Sequence, residues 1–326
     1  MASRVPPLLE AYLALPPEAA QIVLTGILGA STNWLCLRYL YSFLSTPTSR
    51  PADAPTSSSS GGSGTCVVLV SFLRDYAFWR DGASRLGVDL EALGRAGRFA
   101  FVDGLSGLFT SLAPPGPGPG APRPPGVGAT GPESVPRSGP LPHGRQPIPV
   151  IRQPAGGSEG ALPSWRRVLC SGRVADVSAA VGGAVDGLLA NGKQTQLEDT
   201  KVFLVIDQLD LLLAATGATV LALQDMMLDL REKVHATVLT LAADEPLVIP
   251  QTTVVEKEHA SLVLSMAHES EMVVSLRLLD TGTAKDVSGV MRVSQGGQDS
   301  GRAIEETEYL YHVGGDGGVR VFERGQ

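Results

Sequence analysis

Three stretches of the sequence place residues of chemical interest at the ends of apolar runs. Gly26-Ile27-Leu28-Gly29-Ala30-Ser31-Thr32-Asn33 follows the run Ile22 to Thr25 and precedes a helical pattern. Strand, glycine turn and helix is the order in which backbone amides and a helix dipole hold a phosphate. A loop of the GxxxxGK[ST] type also needs a second glycine at fixed spacing and a lysine for the β and γ phosphates. Neither is present, so this turn reads as structural. Gly61-Gly62-Ser63-Gly64 precedes a strand instead of following one and does not replace it. Val202-Phe203-Leu204-Val205-Ile206 ends in Asp207, where P-loop NTPases carry a carboxylate beside Mg²⁺. Asp103 and Asp210 would extend it to an acidic cluster. Any parallel sheet ends its apolar strands in polar residues, however, and turn or N-cap roles account for all three.

Other catalytic patterns are missing. The five histidines (His143, His235, His259, His268, His312) form no HExxH, no cysteine stands near one in a ligand pattern, and no GxSxG occurs. His235 is expected to end a helix, where a cation suits the dipole. No catalytic residue, no cofactor-binding residue, no metal ligand and no cofactor is therefore assigned. Arg74, Arg80 and Arg85 share a helical segment with Tyr76 and Trp79. A solvated face is the simplest account, and anchoring at a subunit joint is the alternative. Arg123, Arg137, Arg145, Arg152, Arg166 and Arg167 are too widely spaced for a compact nucleic-acid patch and read as a solvated linker, against an RNA-contacting arm.

The elements that must position these residues follow from periodicity. Ile22 to Thr25, Cys66 to Ser71, Phe99 to Val102, Val202 to Ile206 and Thr237 to Leu241 are short apolar runs of the kind covered on both faces in a parallel sheet. Between them, helical spacing joins Leu35, Tyr39 and Phe43; Tyr76, Trp79, Ala83 and Leu86; and Val177, Val181, Val185 and Leu188. Val220 to His235 is expected to be the longest helix. After about His268 the segments Met272 to Leu279, Val287 to Val293, Tyr309 to Val313 and Val319 to Phe322 alternate apolar and polar residues. Gly314-Gly315-Asp316-Gly317-Gly318 supplies a hairpin turn there. The fold class expected is α/β: a largely parallel twisted sheet flanked by helices, with antiparallel C-terminal edge strands.

Composition sets the outer bounds. The chain has 326 residues, of which 24 are proline and 38 glycine. Between Ala113 and Pro163 lie 15 of the prolines and 11 of the glycines, so this stretch is read as a disordered insert. With the Ser/Gly-rich linker 45-64 it interrupts a single domain spanning 1-326. Net charge is −7, with +5 on Pro114 to Arg173 and −12 on the remainder. An acidic core argues against strong nucleic-acid binding by the chain alone, because phosphate neutralisation needs clustered Lys/Arg. Three cysteines (Cys36, Cys66, Cys170) give no disulfide framework and fit a reducing compartment. No secretion signal is visible. The most apolar window, Ile22 to Leu44, is broken by Thr25, Gly26, Gly29, Ser31, Thr32, Asn33 and Arg38, so no membrane span is expected.

The ordered blocks Val67-Val68-Leu69-Val70-Ser71-Phe72-Leu73-Arg74-Asp75-Tyr76-Ala77-Phe78-Trp79-Arg80, Ser84 to Leu90, Phe99 to Leu105 and Val202 to Asp210 resemble subunit six of the Elongator complex, in a filamentous-fungal form. The resemblance runs from about residue 20 to the C-terminus, and Phe72 to Leu90 is its most specific part; the insert has no family pattern. It implies a RecA-like fold without a working P-loop. It also implies membership of a heterohexameric ring with Elongator subunits four and five, docked on the larger Elongator scaffold. In that family the assembled ring binds tRNA and supports modification of the wobble uridine, U34, while catalysis resides in a different subunit. The resemblance thus implies a non-catalytic chain acting in the cytoplasm, with a nuclear pool left open. The alternative kept beside it is an active or degenerate RecA-family NTPase related to recombination mediators.

Overall fold

A computed structural model describes residues 4–45, 64–109, 162–194, 200–279, 284–298 and 302–323. The chain divides into two compact units, Met1–Ser111 with Pro163–Gln326, and Leu112–Leu162. Apart from Leu162 the second lies outside the described residues, as do most of the insert 113–163 and all of the linker except its end residues, Ser45 and Gly64.

The strands are β1 (Ala20–Gly26), β2 (Gly64–Ser71), β3 (Phe99–Asp103), β4 (Arg166–Val168), β5 (Thr200–Asp207), β6 (Ala236–Ala242), β7 (Met272–Arg277), β8 (Gly289–Gln295), β9 (Thr307–Val313) and β10 (Val319–Phe322). They form one sheet in the order β10, β9, β8, β7, β1, β6, β5, β2, β3, β4. From β7 to β4 every pairing is parallel, and from β7 to β10 every pairing is antiparallel. The expected α/β class, a mostly parallel sheet with an antiparallel C-terminal edge, is what the chain adopts. One detail differs: β7 belongs to both parts, pairing parallel with β1 through Ile22 and Met272 and antiparallel with β8. Its alternation of buried and half-buried residues reads like an edge hairpin, yet a helix returns the chain so that it lies along β1.

A 3₁₀ turn, Pro7–Leu9, leads into the helices, which are α1 (Glu10–Leu13), α2 (Asn33–Ser45), α3 (Tyr76–Arg85), α4 (Leu90–Arg95), α5 (Ser106–Phe109), α6 (Val174–Gln194), α7 (Asp210–Thr216), α8 (Val220–Arg231), α9 (Glu245–Val248) and α10 (Val254–His268). The longest is α6, with 21 residues, and not the segment from Val220. There, α8 stops at Arg231, because the chain must turn to place Ala236 at the start of β6 beside Phe203. His235 accordingly ends no helix: Nε2 donates to the Pro16 carbonyl at 3.1 Å and the ring meets Phe203 edge-on. The unforeseen α10 carries a capping box, with Thr253 Oγ1 accepting from the Glu256 amide and the Glu256 carboxylate accepting from the Thr253 amide.

Alternation along the strands sorts the interior into two layers. Val67 and Leu69 of β2, with Phe203 and Val205 of β5, face α2, α3 and α4, where Tyr39, Phe43 and Trp79 are buried. Cys66, Val68, Val70, Val202, Leu204 and Ile206 point to the opposite face and pack on α6, α8 and α10 through Val185, Met227 and Leu262. Helices following β1 and β2 thus cover one face, and those following β4, β5 and β6 cover the other. At β1/β6 and β5/β2 neighbouring strands send their chains to opposite faces, and in open α/β sheets the crevice outside the carboxyl ends at such switch points is where ligands bind.

Candidate functional site

The carboxyl ends of β1, β5 and β6 are therefore the place to test the glycine turn and the aspartates. The turn after β1 is closed on itself. Ile27 and Ala30 form an isolated antiparallel bridge, and the Ala30 amide donates to the Ile27 carbonyl at 2.9 Å. A Cβ on Gly26 would lie 2.8 Å from the Ala30 carbonyl oxygen, so the glycine is needed to admit its own turn, and a carbonyl stands where a phosphate cradle presents amides. The Leu28 amide donates to Asp244 Oδ1 at 2.8 Å. A carboxylate of the same chain, just past β6, thereby takes the donor an anionic ligand would seek.

Asp207 is fully buried at the end of β5. Ser71 Oγ donates to its Oδ2 at 2.8 Å and Thr240 Oγ1 to its Oδ1 at 3.3 Å, so the carboxylate ties the ends of β2, β5 and β6 together. The next residue, Gln208, holds a left-handed backbone at φ 59°, pinned by its amide's 2.8 Å bond to Thr240 Oγ1. Burial pushes the Asp207 carboxyl up to about 6, against the opposing pull of the Ser71 hydroxyl and the Arg74 charge. Asp210, buried in the first turn of α7, is likewise pushed up to about 6 by burial, with His259 pulling the other way, and its Oδ1 has no hydrogen-bond partner. His259 itself is buried and donates from Nε2 to the Ala242 carbonyl at 2.8 Å. Asp103 stands apart from this pair as a helix cap: Oδ1 accepts from the Leu105 and Ser106 amides and Oδ2 from Ser106 Oγ.

Among the described residues no group of three or more His, Cys, Asp or Glu is arranged to hold a metal ion, and no helix is long and apolar enough to cross a membrane. Of the α3 cluster, Tyr76 and Trp79 belong to the interior, Trp79 with no exposed surface, so they anchor the fold and are not available to a partner. Arg80 pairs with Asp81 at 2.9 Å and Arg74 stacks over Phe78 at 5.3 Å. Arg166 and Arg167 are not part of a solvated linker, since they form β4. Arg166 lies 4.2 Å over the Tyr76 ring, and Arg167 donates to the carbonyls of Ala180 and Gly183. Arg123, Arg137, Arg145 and Arg152 lie outside the described residues.

Neither Asp244 nor His259 stands in a sequence pattern that marks it. Their positions follow only from the sheet order, which pairs Gly26 at the end of β1 with Ala242 at the end of β6, 216 positions further along the chain.

No family model and no curated protein matches the chain. Among solved structures, a KaiC-like protein from the hyperthermophilic archaeon Pyrococcus horikoshii OT3 has the same arrangement, with a TM-score of 0.50 at 14% identity, over 98% of this chain and 97% of that one. The fold is RecA-like. In this RecA-like chain the turn after β1 is lysine-free, closed and bonded to an internal carboxylate, and the buried aspartate at the end of β5 is held by two hydroxyls.

Proposed function

We propose that this chain is a non-catalytic subunit of the Elongator complex, equivalent to its sixth subunit, that builds a heterohexameric RecA-like ring with subunits four and five. In this reading the ring binds tRNA across its joint surface and supports wobble-uridine modification in the cytoplasm, with a nuclear pool left open. The observation that carries the reading is the turn after β1, whose amide at Leu28 is bonded to Asp244 and whose glycine faces the Ala30 carbonyl. A RecA-like domain with that turn keeps its shape and its outer surfaces without a seat for triphosphate.

A second feature favours assembly. The loops and helix starts at the same end of the sheet expose large apolar side chains: Leu28 after β1, Leu278 after β7, and Ile249, Val254 and Val255 after β6, with Leu28 and Val254 87% and 75% accessible. Burying such a rim against a neighbour is favourable at about 25 cal/mol per Å² of apolar surface. Isolation of the tagged chain from its native cell, followed by mass spectrometry, tests the reading. Recovery of the other Elongator subunits in equal amounts is expected, and their absence overturns it.

The NTPase reading rests on Asp207, which stands at the carboxyl end of β5 beside a switch point. It requires magnesium-dependent ATP hydrolysis by the purified chain that Asp207→Ala abolishes. We expect no such hydrolysis.

A further inference from the structure

A second concave site lies away from the β1 turn. It is a cleft of about 620 Å³ between the first half of α2, the exposed side of α3 and the β9–β10 turn. Two antiparallel pairings separate β9 from β7, so β9 runs in the direction of β1, and the turn after it stands at the carboxyl end of the sheet over the face that α2 and α3 cover. Gly82 lets the two helices approach, since a Cβ there would lie 2.7 Å from Leu37 Cδ1. Gly317 holds a positive φ of 81° in the turn and presents its carbonyl inward.

The floor carries a charge without a counter-ion. Arg38 is 2% exposed, and its one hydrogen bond runs from Nη2 to the Gly317 carbonyl at 3.0 Å; Nε is buried without a partner. No carboxylate of the described residues lies within ion-pairing distance of it. Beside it, Trp34 packs on Tyr311 with tilted rings, centroids 5.2 Å apart, and its Nε1 donor is also buried and unbonded. Burial alone lowers the affinity of Arg38 for its proton, the expected response of an uncompensated cation. Arg4 and Arg85 stand on the rim, and neither forms an ion pair among the described residues. The two acidic lining residues are engaged: Asp81 pairs with Arg80, and Asp316 Oδ1 accepts from the Gly318 amide. Leu37, Leu86, Phe78 and Val313 supply an apolar wall.

A guanidinium out of water is costly unless an anion is paired with it, and three arginines line this one cleft on a chain whose net charge is −7. The volume falls in the range of small-molecule pockets. We propose that this cleft binds a small organic carboxylate with an apolar body, its carboxylate paired with the guanidinium of Arg38 and steered by Arg4 and Arg85, and its body laid against Phe78, Leu86 and Val313. This site is independent of the Elongator reading and of the turn after β1.

The probe is 2-naphthoate, titrated calorimetrically into the full chain, with 2-naphthamide as its neutral counterpart. Saturable binding of the acid, and weaker binding of the amide by about thirtyfold, is expected from the loss of one charge-assisted hydrogen bond. Arg38→Met should weaken the acid to the level of the amide, with folding checked by thermal melting. Arg85→Ala, at an exposed position, should weaken it by about threefold through lost steering and rim pairing. Equal affinity for acid and amide, no saturable binding, or indifference to both substitutions overturns the proposal. A third arm uses the blocked peptide acetyl-Leu-Glu-Leu-amide: if it binds in an Arg38-dependent way and naphthoate does not, the cleft serves a protein's acidic side chain and the small-molecule assignment is wrong.

Discussion

Asp207→Asn separates the charge of this carboxylate from its hydrogen bonds. Asp207 ionises at an ordinary 3.8 when unfolded and at about 6 when folded, so between those values the native state holds the proton more tightly. Protons bound preferentially by the native state make stability fall as pH rises, here from about pH 4 until the group is fully ionised above pH 6. At about 1.36 kcal/mol per pH unit, the gap amounts to roughly 3 kcal/mol carried as a penalty at pH 8. Asparagine keeps the shape and removes the charge. It pairs less well with the Ser71 and Thr240 hydroxyls, a loss of about 1 kcal/mol that is the same at every pH. The variant should therefore be slightly less stable than the wild type at pH 4 and more stable by roughly 2 kcal/mol at pH 8. Urea unfolding at half-unit intervals from pH 4 to pH 8 reads the difference directly. The pH slope of that difference is the test, because Asp210 titrates in the same range and is present in both proteins. A difference that stays constant across the series would refute the claim that burial of the charge governs this site.

Other substitutions probe the elements around it. Thr253→Ala removes half of the capping box of α10 and should cost about 1 kcal/mol in urea unfolding; no loss would mean the box carries no weight. Gly94→Ala places a Cβ 2.4 Å from the Trp165 ring, so a shift of the indole and a loss of about 1–3 kcal/mol are expected, against no change if the ring is free to move. Iodoacetamide on the native chain should modify Cys170, which is exposed, and spare Cys36 and Cys66, whose thiols are buried and pushed up by burial; intact-mass measurement should find a single adduct. Leu28→Glu with Val254→Glu should leave the urea midpoint unchanged, since both side chains face solvent, while reducing recovery of partner subunits with the tagged chain.

Much of the fold is legible in the sequence. Runs such as VFLVI and CVVLVS are covered on both faces and so announce central strands by composition alone. The features that escaped reading depend on distant partners. β4 is three residues long and half-buried, with two arginines; it is a strand only because Phe101 and Asp103 of β3 offer it an edge. Arg166 and Arg167 look like linker charges until Tyr76 and the carbonyls of α6 receive them. The α10 helix was legible in principle, since Thr253 and Glu256 spell a capping box ahead of an apolar run. At the site, the absence of a lysine after β1 was readable, but the bond between Leu28 and Asp244 was not. Nor was the uncompensated Arg38, which in sequence is simply one polar residue in an apolar helix.

The electrostatics of the strand ends bear on what this surface can meet. Asp207, Asp210 and Asp244 gather at the carboxyl ends of β5 and β6, and Arg74 is the nearby cation whose charge acts on Asp207. Two unit charges about 4 Å apart interact by about 4 kcal/mol near a protein surface. A triphosphate entering here would meet carboxylates of its own sign, and it would have to displace Asp244 to reach the Leu28 amide. An uncharged partner surface meets neither obstacle: Asp207 keeps its bonds from Ser71 and Thr240, Asp244 keeps its bond from the Leu28 amide, and the apolar rim around them leaves water. The chemistry that opposes a triphosphate at this end of the sheet is thus compatible with the proposed assembly, and the separate cleft with Arg38 at its floor is where this acidic chain would offer an anion a positive charge without a counter-ion.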